Sequence, residues 1–163
     1  KEWMVGDVLQ ELSGTRRILE RLPDEHLSWK PHEKSISLGA LSTHIVNLLA
    51  WHMFILKQKE LDLLTVPARR EPLQSRAAIL AEFDQRYGEV EMAMAEIGVD
   101  ELQESWALRR GDHVILSQPR AAALRHFGVS HLIHHRAQLT VYLRLLNVPV
   151  PGFYGPSADD EGR

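Results

Sequence analysis

Histidine crowds one stretch near the end of the chain, LRHFGVSHLIHHRAQLTVYLRLL, residues 124–146. Four of the nine histidines, His126, His131, His134 and His135, fall within ten residues of an otherwise apolar helical pattern. A neutral imidazole can give a lone pair to a metal, carry a proton near neutral pH, or hydrogen-bond inside a core. His131 and His135 are spaced i, i+4, which puts both rings on one helix face with Cβ atoms about 6 Å apart. Two ring nitrogens so placed can meet one ion at about 2.0–2.1 Å each. The H-E-x-x-H zinc-protease pattern is excluded, because Leu132 occupies the position of the carboxylate that would activate water.

A third ligand would have to come from elsewhere. His44 lies in LGALSTHIVNLLAWH beside the apolar stripe of Leu41, Ile45 and Leu48, where an imidazole without a partner is costly. His52, two turns on, competes for the same role. The two stand about 12 Å apart along a helix, so only one can join a given ion. His126 points off the face of His131, which suits a surface or capping role. His134 reads as an outer partner or a solvent-facing residue, and His26, His32 and His113 fall in links. Three histidines without an acidic ligand would leave a divalent ion its full charge and open positions. Such an ion lowers the pKa of bound water and would stabilise an entering thiol as its thiolate.

The elements that must position these residues are four helical patterns. The first carries Val5, Val8, Leu9, Leu12, Leu19 and Leu22, and Pro23 stops it. The second opens after Ser37 with Leu41, Ile45, Leu48, Trp51 or His52, and Ile55 on one face. The third starts at Ser75, an N-cap residue type, and runs through Ile79, Leu80, Phe83, Tyr87, Val90, Met94 and Ile97 to Gly98. The fourth begins at Pro119, tolerated in a first helical turn, and reaches about Leu146. Its expected inner stripe is Leu124, Phe127, His131, His135 or His134, Gln138, Tyr142 and Leu145. PDEHLSWKPHEKSIS and KELDLLTVPARREPLQ form long links, SWALRRGDHVILS predicts a small hairpin around Arg110-Gly111-Asp112, and the proline-rich tail NVPVPGFYGPSADDEGR must be extended. The expectation is one all-α domain over residues 1–163, a four-helix bundle with long links and an extended C-terminal tail, a shape that builds metal sites between facing helices.

Composition narrows the function classes. Apolar residues make up 44% and charged residues 25%, as in ordinary globular chains, and a net charge of −3 offers no basic excess for nucleic acid. Without cysteine there is no disulfide, thiolate site or cysteine nucleophile, which fits the cytoplasm. Apolar runs are expected to be broken by charge well before about 18 residues, giving no membrane span. The start KEWMVGDVLQ shows neither a signal-peptide pattern nor an initiator Met, so some residues are expected to precede it.

The segment HLIHHRAQLTVYLRLLNVPVPGFYGPSAD closely resembles the C-terminal signature of the DinB/YfiT-like superfamily. LSWKPHEKSISLGALSTHIVNLLAWH resembles its other hallmark, a Trp-x-Pro link into a helix with one histidine, and the likeness spans about residues 4 to 159. The resemblance implies an up-down-down-up four-helix bundle, usually a homodimer. It also implies a divalent metal, zinc or nickel, held by one histidine of the second helix and two of the fourth. These map onto His44, His131 and His135. The familiar HHRGQL reads HHRAQL, with Ala137 replacing glycine and no ligand removed. Relatives of this kind include thiol S-transferases and isomerases that use low-molecular-weight thiols such as bacillithiol or mycothiol.

The leading expectation is therefore a metal-dependent thiol transferase or hydrolase acting on a small-molecule substrate, with Gln138 and Tyr142 orienting it. Arg136 is expected to pair with an acidic residue and hold the bundle. The alternative is a non-catalytic dimeric stress-response bundle whose metal is structural or absent. A buried hydrogen-bond network among the histidines is the third reading.

Overall fold

The computed structural model describes residues 1–66 and 71–160. Ser37 and Ser75 start the two longest helices, and each hydroxyl accepts from a backbone N–H three residues on, Ala40 and Ala78. These helices are α2, Leu38–Lys57, and α3, Arg76–Glu96. The first helix, α1, spans Glu2–Leu19, and Pro23 follows its C-terminus as expected. A five-residue helix, α4 (Val99–Gln103), uses Gly98 as its N-cap. The chain then forms a short α5 (Arg120–Ala123), a π-helical segment (Leu124–Ser130) and α6 (His131–Leu145). Helix α1 packs on α3 and α6, and α2 packs on α3, α6 and the π-helical segment. Leu12, Ile18, Leu41, Ile45, Leu48, Phe83 and Leu139 are fully buried between them.

The fold is mostly helical but not purely so. The predicted hairpin is present as β2 (Ser105–Arg110) and β3 (His113–Pro119), joined through Gly111 at φ +58°. Glycine with positive φ at the first of two loop residues is the requirement of a type II′ hairpin turn. A third strand, β1 (Glu60–Asp62), lies in what reads as a link and pairs in parallel with β2, giving the order β1-β2-β3. Its hydrogen bonds cover one edge of the hairpin. The sheet also contributes the fully buried Trp106 to the core. Arg120, buried at the start of α5, donates to the carbonyls of Ile55 and Gln58 at the end of α2, which ties the sheet's exit to the helix carrying His44.

Helix α2 corrects the expectation about apolar runs. Leu38–Lys57 is 20 residues long with a window of mean hydropathy 1.3, enough by length and composition to cross a membrane. Here 61% of that window is buried inside the fold, so its apolar surface serves the core.

The last helix corrects a second expectation. Its fully buried positions are Leu132, Leu139 and Leu143 with Arg136 nearly so, whereas Leu145 is 57% exposed and Gln138 is exposed. The cause is the π-helical segment. Its i→i+5 turns carry more residues per turn than an α-helix, so a stripe extrapolated from Leu124 at the α period loses phase before α6. The end of α6 is conventional: Val148 N–H bonds to Leu143 O at 2.9 Å and Asn147 N–H to Arg144 O at 3.0 Å, with Asn147 left-handed at φ 58°. This is a Schellman arrangement, and Pro149 then prevents any continuation.

Candidate metal centre between α2 and α6

Helix α2 presents His44 on the edge of its buried face, where Thr43 and Ile45 are buried and His44 is half-exposed. Helix α6 presents His131 and His135 one turn apart, flanking the buried Leu132. His44 meets His131 and His135 edge to face, its ring centroid 4.5 Å from that of His135 at 90°, and the His131 and His135 rings are tilted at 44° to each other. His135 Nε2 lies 3.1 Å from His44 Nε2 and 3.0 Å from His131 Nε2. One ring nitrogen from each histidine falls within 4.8 Å of the others, and the trio contains no carboxylate.

Two of the three imidazoles are held toward their neutral form. Burial, followed by the charges of His135 and His134, pushes the pKa of His131 down. Burial also lowers His135; its hydrogen bond to Gln138 Oε1 opposes the shift and the charge of His134 adds to it. Neutral imidazoles keep a lone pair, which is the form that binds a metal. Lone pairs aimed at one another are stable only if a proton or a cation lies between them.

The other histidines are separate. His52 is fully buried against Gly128 of the π-helical segment and does not join the trio. Its Nδ1–H donates to Leu48 O at 3.1 Å, which leaves Nε2 without a hydrogen-bond partner among the described residues. A Cβ at position 128 would lie 2.8 Å from that nitrogen, so glycine is what lets the ring fit. His126 is exposed and stacks on Phe127, while His26, His32 and His113 lie exposed in the links and at the hairpin. Exposed His134 stands edge-on to His135.

Of the residues expected to orient substrate, Tyr142 packs edge-on against Trp29 and its hydroxyl donates to Ile36 O at 3.3 Å. Gln138 contacts His135 and His134. Arg136 has the acidic partner expected of it. Its Nη2 lies 2.5 Å from Glu11 Oε2, and Tyr154 OH, which donates to the same Oε2 at 2.8 Å, accepts from Nη2 at 2.7 Å. The Phe153 ring covers the guanidinium at 4.5 Å. Glu11 was not singled out from the sequence, although it falls on the buried stripe of α1 between Val8 and Thr15, where a carboxylate needs a partner.

A mostly helical protein whose second and last long helices bring three imidazoles together, with a proline-rich tail strapped to the first helix, defines a recognisable class. The chain belongs to the DinB family, whose model matches residues 5–162. Two Bacillus subtilis proteins, YrdA and YjoA, are each 28% identical to it over 153 residues, covering 92% and 93% of this chain and 85% and 94% of their own lengths. The fold is shared with crystal structures of a DinB-like protein from Bacillus cereus (TM-score 0.76, 22% identity, covering 94% of this chain and 97% of that one) and of YjoA (TM-score 0.73, 19% identity, covering 95% and 99%).

Proposed function

We propose that the chain is a metal-dependent enzyme of the DinB family, a thiol S-transferase or hydrolase, with a zinc or nickel ion held by His44, His131 and His135. The observation that carries this reading is the convergence of three imidazole nitrogens from two helices, half-exposed and without a protein carboxylate among them. A divalent ion at that point would act as a Lewis acid, making water or a small thiol acidic enough to ionise near neutral pH. The protein supplies the rest: α2 and α6 fix the ligand directions, and Trp29 and Tyr142 form an aromatic pair that would orient a small-molecule substrate beside α6. In this reading the four long helices form the family's up-down-down-up bundle, the sheet is an addition to it, and the protein works as a cytoplasmic homodimer without nucleic acid or membrane.

The alternative is a non-catalytic dimeric stress-response bundle with a structural metal or none. It is favoured by the mutual contacts of the rings, which already bring His135 within hydrogen-bond distance of both partners. The test begins with metal analysis of protein purified without a nickel column, then titration with zinc, nickel and cobalt. Stoichiometric binding that His44→Ala and His135→Ala both remove is the expected result; no binding even after addition sinks the site. Turnover of an electrophile with one of a panel of low-molecular-weight thiols, lost in His135→Ala while its melting temperature holds, separates the enzyme from the bundle. Loss of stability without any turnover in wild type favours the bundle.

A further inference from the structure

Gln138 follows His135 by three residues on α6 and engages an imidazole with each end of its amide. Its Oε1 lies 2.8 Å from His135 Nδ1, and its Nε2 lies 3.2 Å from His134 Nε2. The amide gives these contacts a direction, because its NH2 only donates and its oxygen only accepts. His134 Nε2 must then be an acceptor, and His135 Nδ1 must carry a proton. A neutral His135 protonated on Nδ1 has a bare Nε2. That bare nitrogen is the one 3.1 Å from His44 and 3.0 Å from His131.

We propose that Gln138 is the positioning residue of the cluster: held by His134, its amide fixes His135 as the Nδ1–H tautomer and aims the Nε2 lone pair at the centre of the trio. The reversed amide would place NH2 on His135 Nδ1 and force the proton onto Nε2, closing that position to any ligand. His134 supports this orientation as its own Nδ1–H tautomer, whose bare Nε2 accepts from the NH2 end. Outer partners of this kind orient a ligating imidazole and raise its basicity. The functional value of this arrangement rests on the metal reading, whereas the direction of the hydrogen bonds does not.

The two are tested separately. Long-range proton–nitrogen NMR correlation on the metal-free, histidine-labelled full chain, above neutral pH, reads the tautomer directly. Wild type is expected to show His135 with a protonated Nδ1 and a pyridine-like Nε2. Gln138→Leu is expected to lose that preference, and Gln138→Glu to restore it. An Nε2–H or averaged His135 in wild type overturns the proposal, as does a Gln138→Leu variant with the wild-type tautomer. In the second arm, cobalt titration followed by visible absorption should show Gln138→Leu binding about 10–100-fold more weakly, His134→Leu less affected, and Gln138→Glu close to wild type. Equal affinity of wild type and Gln138→Leu also overturns it. A wild type that binds no cobalt yet shows the expected tautomer leaves the hydrogen-bond direction standing and removes the metal reading instead.

Discussion

Glu11→Leu is expected to lower the stability of the protein by about 3–5 kcal/mol, the cost of leaving one partner of a buried ion pair alone. Glu11 and Arg136 are 4% and 3% exposed, so the guanidinium left behind has little water to turn to. Arg136→Met should cost a similar amount by stranding the carboxylate. The double variant should be far milder than the sum, because an apolar pair of similar volume needs no compensation. Tyr154→Phe removes one hydrogen bond to Glu11 and one from Arg136, and should cost about 1 kcal/mol. Urea unfolding of wild type, the two single variants and the double variant forms a complete cycle, with Tyr154→Phe measured beside it. A Glu11→Leu variant within about 1 kcal/mol of wild type, the size of a typical exposed pair, would remove the pair from its place as the anchor of α6. The anchor bears on the site directly: Arg136 follows His135, so the pair that ties α6 to α1 also sets the roll of the helix that carries two of the three imidazoles.

Acid should unfold the protein largely through His52. Burial pushes its pKa down from 6.5 to about 4, against the smaller opposing effect of its bond to Leu48 O. The unfolded chain takes up a proton as pH falls through 6.5, whereas the folded chain does not until about 4. Stability is therefore full above 6.5 and is lost as pH falls, by about 3 kcal/mol at pH 4 from this residue alone. His131 and His135 are shifted in the same direction and add to the loss. His52→Leu, which cannot take up a proton, should reduce the stability difference between pH 7.5 and pH 4 by about that 3 kcal/mol. Parallel pH dependence in wild type and His52→Leu would falsify this assignment. The variant also removes an unpartnered nitrogen from the core, so it should be no less stable than wild type at low pH.

Local chemistry made much of this structure legible in advance. Ser37 and Ser75 announce their helices through capping, Gly111 announces the hairpin, and the i, i+4 spacing of His131 and His135 puts both on one face. Interactions between distant segments were less visible. Strand β1 is three residues long and pairs in parallel with β2, which leaves no periodic signal in KELDLL. The absence of Asp, Glu, Lys and Arg from Leu38 to Leu56 is plain in the sequence, but which of its two histidines faces α6 is not. Periodicity places His44 and His52 alike, and only packing shows that one sits at the half-exposed edge and the other in the core. The stripe drawn to Leu145 failed because sequence periods are read at 3.6 residues, and nothing in LRHFGVS signals a wider turn.

That wider turn determines where this chain can change length. Links on the surface absorb insertions at little thermodynamic cost, since closure entropy grows only slowly with loop size. The seven residues Leu124–Ser130 cannot, because they set the angle between everything before them and the histidines after them. Removing one residue there would let the segment close as ordinary i→i+4 turns. A π turn advances the chain by about 82° per residue and an α turn by about 100°, so six α residues turn the chain nearly as far as the seven they replace, and the deletion would leave His131 and His135 facing His44. Natural length variation in relatives that keep all three imidazoles should accordingly fall in the links, the hairpin and the tail, and within this segment only as the loss of the one residue that makes its turns wide.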